Sequence, residues 1–326
     1  MQVGRFERST CNLEPVTEIK MSIRPLAILD LPYLYGFRDE AVGLDATRTL
    51  TRGNPLGAVG LLSYINPSRH IYSAIANGEE KSVLGGITHV HDETFAKLYY
   101  IAPSSQLNHP DLPAVIENLS SQAGMWGAFH VLAEVDETNN AFVSLRNSGF
   151  SVYAWQRMWD VSKITGSNSK SNWMRIKSIH LPSVQNLYHQ IVPPLLHPVE
   201  PQPRIRGGWI WNEGARCYVS TAHGPHGIVL TPLIHPDATD VSEKLSTLIG
   251  NLPDRRNRPL YICVRSYQAW VEPVLEDLGA KAAERQAVMV KHLTHLVKDA
   301  VLSRNTQPAG VSVQPSRVNQ TKVNNK

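Results

Sequence analysis

One order of elements occurs twice in this chain, on either side of the polar run Ser162 to Asn172 (SKITGSNSKSN). That run has small, hydrophilic residues and no apolar spacing, the composition of a linker. Sliding the first half by 130 residues sets Gly149 on Gly279, Leu145 on Leu275 and Gln156 on Gln286. The identities are few, so the duplication is read from the pattern of elements. The expected division is an N-terminal extension over 1–20, domains over 21–162 and 173–300, a linker over 163–172 and a tail over 301–326.

In the first half Ile23 to Leu26 reads as a short strand, and Asp30 stands before a helix with Leu31, Leu34 and Tyr35 on one face. His70 to Ala76 alternates as a strand, and Val83 to His91 and Phe95 to Ala102 form a hairpin. Leu112, Val115, Ile116, Leu119 and Ala123 fall at helical spacing, with Pro113 in the first turn, where its missing N–H costs nothing. A buried strand from Phe129 to Val135 follows, then a helix through Ala141, Phe142 and Leu145 stopped by Gly149, then a strand from Val152 to Val161. The second half repeats this. It has strands over Arg175 to Ile179, Gly208 to Trp211, Ala215 to Thr221, Gly227 to Ile234 and Leu260 to Val264. Helices are expected near Val184 to Ile191, at Val241 to Ile249 and at Trp270 to Leu278. The fold class is α/β or α+β: two domains, each a mixed, mostly antiparallel sheet flanked by helices.

Composition narrows the function classes. With 326 residues there is room for two ordinary domains, and 42% apolar against 18% charged residues is a globular balance. No run reaches the roughly 18 apolar residues of a membrane span, and the charged first twenty residues hold no secretory apolar region. The expected compartment is the cytoplasm. Cys11, Cys217 and Cys263 are far apart and form no CxxC, so they read as reduced thiols. The net charge of +4 resides in the tail, through Arg304, Arg317, Lys322 and Lys326. The neutral remainder lacks the basic face of a dedicated nucleic-acid binder, and the tail reads as a disordered, solubilising segment.

Val131 to Phe150 (VLAEVDETNNAFVSLRNSGF) is a buried strand, an Asn, then a helix ending in Gly-Phe. This unit resembles the motif near the end of the GNAT superfamily of acyl-CoA N-acyltransferases. Ile23-Arg24 through Asp30 is similar to the family's opening strand and helix, and Ile101-Ala102-Pro103 to the end of its fourth strand. The likeness covers most of 21–162 and extends weakly over 173–297, where Leu275 to Ala280 takes the Gly-Phe place. The chain thus looks like a tandem, partly degenerate member.

That resemblance implies acetyl-CoA as acyl donor and an amine of a small molecule or protein as acceptor, with direct transfer in the N-terminal domain. The donor would lie along Ile101 and Ala102, its pyrophosphate on Gln106, Leu107 and Asn108, and its pantetheine arm near Asn139. Family members cradle the pyrophosphate with glycine N–H groups at a helix start. Here Asn108 and Pro110 stand where glycines belong, and proline has no N–H to give. The second half has no glycine there and adds Asp240 and Glu243. The Tyr that often serves as acid is replaced by Leu145 and Leu275. Glu134 is the candidate base; its alternative role is to cap the strand or pair with an arginine.

No metal site is expected. His89 and His91 share a strand face but have no third ligand, and His223-Gly-Pro-His226 reads as a turn. Gly53 to Gly60 lacks dinucleotide spacing, and no GxxxxGK or GxSxG occurs. The tryptophans read as core or interdomain packing. Whether the chain is an enzyme stays open, because the same residues suit a catalytically inactive module that binds a ligand or partner, or that pairs two protomers as a homodimer through their strands.

Overall fold

The computed structural model describes residues 23–65, 69–77, 82–91, 93–166, 172–212 and 214–293. The N-terminal extension, residues 167–171 of the linker and the basic tail lie outside the described residues. The first half carries β1 (Ile23–Leu26), α1 (Leu31–Gly36), β2 (Val42–Gly43), α2 (Ala46–Arg52), α3 (Ala58–Leu61), β3 (Arg69–Asn77), β4 (Ser82–Val90), β5 (Phe95–Ala102), α4 (Leu112–Met125), β6 (His130–Asp136), α5 (Asn140–Asn147) and β7 (Ser151–Asp160). The second half carries β8 (Trp173–Arg175), α6 (Leu181–Ile191), β9 (Gly208–Trp211), β10 (Cys217–His223), β11 (Ile228–Ile234), α7 (Val241–Asn251), β12 (Leu260–Arg265), α8 (Val271–Asp277) and β13 (Lys281–His292).

The expected fold class holds: a mostly antiparallel sheet is flanked by helices. Local chemistry sets most boundaries. In α4 the residues at helical spacing are the buried ones, from Leu112 to Ala123. Gly149 and Gly279, which end the two matching helices, have φ of +88° and +83°, a conformation that favours glycine. Two boundaries differ from the sequence reading. β8 ends at Arg175, because Lys177 N–H donates to His180 Nδ1 at 3.2 Å and folds the chain into a 3-10 turn before α6. β10 begins at Cys217, because Ala215 has a left-handed φ of 48°.

All the strands belong to one sheet, in the order β1-β3-β4-β5-β6-β13-β7-β12-β11-β10-β9-β8, with β2 alongside β5. The two halves exchange their last strands. β13, from the second half, pairs antiparallel with β6 of the first, and β7, from the first half, pairs with β12 of the second. β7 and β13 then pair with each other, joining the halves at the middle of the sheet. Separate apolar clusters fill the two ends, one under α4 and α5, the other under α7 and α8.

Candidate functional site

β5 and β6 run parallel but pair only over Phe95↔His130, Ala96↔Val131 and Lys97↔Leu132. Beyond Lys97 a short stretch of the chain's own backbone stands between them. Val42 and Gly43 pair with Ile101 and Tyr100. Leu44 N–H donates to Tyr99 O at 2.9 Å, and its carbonyl accepts from Glu134 N–H at 2.8 Å. Leu44 is fully buried, so its amide bridges the two strands away from water. In the second half β11 and β12 likewise pair only from Ile228↔Leu260 to Leu230↔Ile262. There the buried Gln268 side chain takes the free edge of β11, accepting from Ile234 N–H at 2.9 Å and donating to Pro232 O at 3.0 Å.

The loop after β5 is closed on itself. The N–H groups of Gln106, His109 and Leu112 donate to carbonyls three residues back, and Asp111 N–H donates to His109 Nδ1 at 3.2 Å. Pro110 has no N–H, and Asp111 puts a carboxylate at the start of α4, where the helix dipole would favour an external anion. The loop after β11 repeats the device: His235-Pro236-Asp237 matches His109-Pro110-Asp111, with Asp237 N–H on His235 Nδ1 at 3.2 Å. These residues do not fit the pyrophosphate and pantetheine of acetyl-CoA in either half.

Space opens instead at the junction of the halves. A cavity of about 1060 Å³ lies against β5, β6, β7, β11 and β12 and is walled by α2 and the segment 200–208. Cations outnumber carboxylates about two to one among its lining side chains. α2 forms because Asp45 Oδ1 accepts from Arg48 N–H at 3.1 Å, and it ends at Gly53, whose φ is +80°. Its far end meets the tip of the β10–β11 hairpin, where His226 N–H donates to Thr51 O at 3.0 Å. A Cβ on Gly224 would come within 2.0 Å of Thr51 O, so glycine is required for that approach.

A chain of buried charges crosses the cavity floor. Lys97 Nζ lies 3.4 Å from Asp45 and 3.5 Å from Glu134. Glu134 Oε2 also accepts from Ala46 N–H at 2.9 Å, and Arg265 approaches its Oε1 at 3.9 Å and Glu200 at 3.2 Å. Arg265 donates to Gln156 Oε1, which the Cys263 thiol approaches at 3.3 Å. Burial alone would raise the Glu134 carboxyl, but the charges of Lys97 and Arg265, with the Ala46 and Gln156 hydrogen bonds, bring it below its ordinary range. Burial works against the charge on Lys97, and Asp45 and Glu134 outweigh it, so its ammonium is stabilised. Burial pushes Glu200 up, and the Cys263 thiol up to about 12, so that thiol stays neutral. The floor is a closed set of ion pairs. Glu134, already paired, has little basicity for an incoming ammonium.

The whole arrangement has relatives among solved structures. A GCN5-related N-acetyltransferase from Sphaerobacter thermophilus aligns with 83% of this chain and 95% of its own, at 9% identity and a TM-score of 0.53. A tandem GNAT protein from the clavulanic acid biosynthesis pathway, in its form without AcCoA, aligns over 84% and 98% at 14% identity and a TM-score of 0.50. A Pyrococcus horikoshii acetyltransferase aligns over 88% and 94% at 11% identity and 0.50. The chain has the GNAT fold. No family model and no curated protein sequence matches it, so the likeness is one of structure.

Within this GNAT fold the residues singled out by sequence lie in different places. Ile101 and Ala102 are fully buried, with the backbone of Ile101 paired to Val42. Gln106 sits in the closed loop, Leu107 points into the first-half core and Asn108 is exposed. Asn139 caps α5, its Oδ1 accepting from Ala141 N–H at 2.9 Å. Glu134 alone of the set lines the cavity. Sequence reasoning passed over β2 and α2, which close the first splay and carry Arg48 and Arg52. The signals were present: Asp45 three residues before Arg48 as an N-cap, and Gly53 as a stop. The repeated His-Pro-Asp of the two loops also went unused.

Proposed function

We propose that this chain is a GNAT-fold binding module whose working site is the central cavity, and that its ligand is an anionic small molecule. The observation that carries this reading is the Leu44 amide, which occupies both inner strand edges of the first splay. With those edges taken and the N–H groups of Gln106, His109, Asp111 and Leu112 engaged, the first half offers an extended acyl-CoA arm little of the backbone it would need. The cationic lining of the cavity favours a negatively charged occupant.

The fold also supports a second reading, an acetyl-CoA-dependent N-acetyltransferase acting on an amine of a small molecule or protein. That reading requires β2 to leave the splay before the donor can enter. Calorimetric titration of acetyl-CoA into the full chain, with thiol release followed over a panel of primary amines, separates the two. The module reading expects no amine-dependent thiol release. Turnover above spontaneous hydrolysis, saturating in the amine, overturns it.

A further inference from the structure

The charges in the cavity are matched unevenly. Lys97 and Arg265 each lie close to two carboxylates. Arg48 is as deeply buried as Arg265, with 4% of its surface exposed, and its side chain has no hydrogen bond or ion pair to another described residue. Its Nε and Nη1 are buried without an acceptor, and the guanidinium lies over the Tyr99 ring, with Cζ 3.8 Å from the centroid. Arg52, one turn further along α2 on the same face, and Arg69 of β3 line the same cavity and likewise have no side-chain partner among the described residues. The nearest acid on that element, Asp45, is engaged by Lys97 and by the Arg48 backbone. Burial first, and then the positive charges of Arg48 and Arg52, make the cation on Arg69 harder to hold, and the charges of Asp45 and Glu93 offset this only in part.

A buried, unpaired guanidinium beside two more cations is costly unless an anion completes it. Guanidinium forks match the oxygens of phosphate or carboxylate. A carboxylate offers two oxygens and one charge. A phosphomonoester offers three terminal oxygens and nearly two charges, which better answers three guanidiniums.

We infer that Arg48, Arg52 and Arg69 form a phosphate subsite of the central cavity, and that its ligand carries a terminal phosphomonoester. This inference rests on the cavity being the ligand site. The remaining volume, toward Arg175, Arg206 and Arg256, takes the rest of the molecule.

The test uses the full chain, thermal unfolding and calorimetry, with inorganic phosphate, adenosine 3′,5′-bisphosphate and citrate as probes. Phosphate-bearing probes are expected to raise the Tm and to bind more weakly as salt increases. Arg48→Met removes the charge while leaving an unbranched apolar side chain to fill the space beside Tyr99, and should weaken phosphate about tenfold or more, the loss of one charge-assisted hydrogen-bonding group. The ligand-free variant should be at least as stable as the parent, since it removes an unpaired buried charge; a purely structural arginine would destabilise on removal. Arg52→Gln, at a partly exposed position, should weaken phosphate similarly without disturbing the core. Binding of inorganic phosphate with the same affinity as the bisphosphate marks free phosphate as the natural occupant, and tighter bisphosphate binding marks a larger phosphoester; both support the subsite. Phosphate affinity unchanged in both variants but lost in Arg256→Met, or binding of citrate alone, overturns the subsite and leaves the cavity as an anion site. No binding of any probe overturns both.

Discussion

Gln156 Nε2 donates to Gln286 Oε1 at 2.8 Å, joining two positions 130 residues apart that face each other in the β7–β13 pairing. The same pair ties both halves into the cavity floor. Gln286 donates onward to Asp136 at 2.9 Å, and Gln156 accepts from Arg265. The point where the two halves meet as equivalents is therefore also a point where buried polar groups depend on one another.

Replacing either glutamine should then be costly, and replacing both should cost less than the sum. Gln156→Leu strips an acceptor from Arg265 and a donor from Gln286. Each single variant should lose about 1–3 kcal/mol, the penalty of an unsatisfied buried group. A double-mutant cycle by chemical denaturation should give a coupling of about 0.5–3 kcal/mol. Strict additivity would mean that the two side chains do not act through each other.

The Leu44 bridge predicts amide protection. Leu44 and Glu134 N–H groups lie in a closed interstrand ladder, so their hydrogen exchange should approach that of core strands. Leu44→Ala should cost about 2–5 kcal/mol as a core truncation. Fast exchange at these amides, accelerated further by acetyl-CoA, would show instead that β2 leaves the splay readily.

Glu134→Gln should lower stability at neutral pH by about 3–5 kcal/mol, because Lys97 and Arg265 each lose a counter-charge in a buried setting. The folded carboxyl lies below its ordinary value of 4.5. Its contribution is thus present above that value and lost as pH falls through the folded pKa. The gap between parent and variant should be constant from pH 6 to 8 and narrow only once the pH falls below the ordinary carboxyl value of 4.5. A gap that widens on acidification would contradict the ion-pair assignment.

Strand exchange predicts that the halves are not autonomous. A fragment ending after β7 lacks the strand that separates β6 from β7, leaving both edges unpaired. It should self-associate, while co-expression with the remainder of the chain should yield a co-purifying, folded pair. A monomeric, cooperatively folding first half, seen by light scattering and denaturation, would refute this.

Much of the scaffold was legible in the residues themselves. Period and punctuation located β1, α4, β6, α5 and β12 within a residue or two, because each element's buried face and stop signal are local. The 130-residue shift also marked Gln156 and Gln286, and the GNAT fold was legible in the strand-Asn-helix-Gly-Phe unit. The candidate site was much less so. Glu134 was named as a base or an arginine partner, and its partners come from Lys97, 37 residues away, and from Arg265 in the other half. β2 spans two residues, too few for any periodic signal, yet it closes the splay.

Sequence by itself determined most of the helices and strands, that they recur in two halves, and that the loops after β5 and β11 lack glycine. Only the tertiary structure decided that β7 and β13 cross between the halves, that Leu44 occupies the first splay, and that Arg48, Arg52 and Arg69 share one cavity without an ion pair to a described carboxylate. The physical reason is range. Backbone preference and side-chain periodicity act over a few residues, whereas strand exchange and charge compensation are settled by which distant groups are brought together when water is excluded.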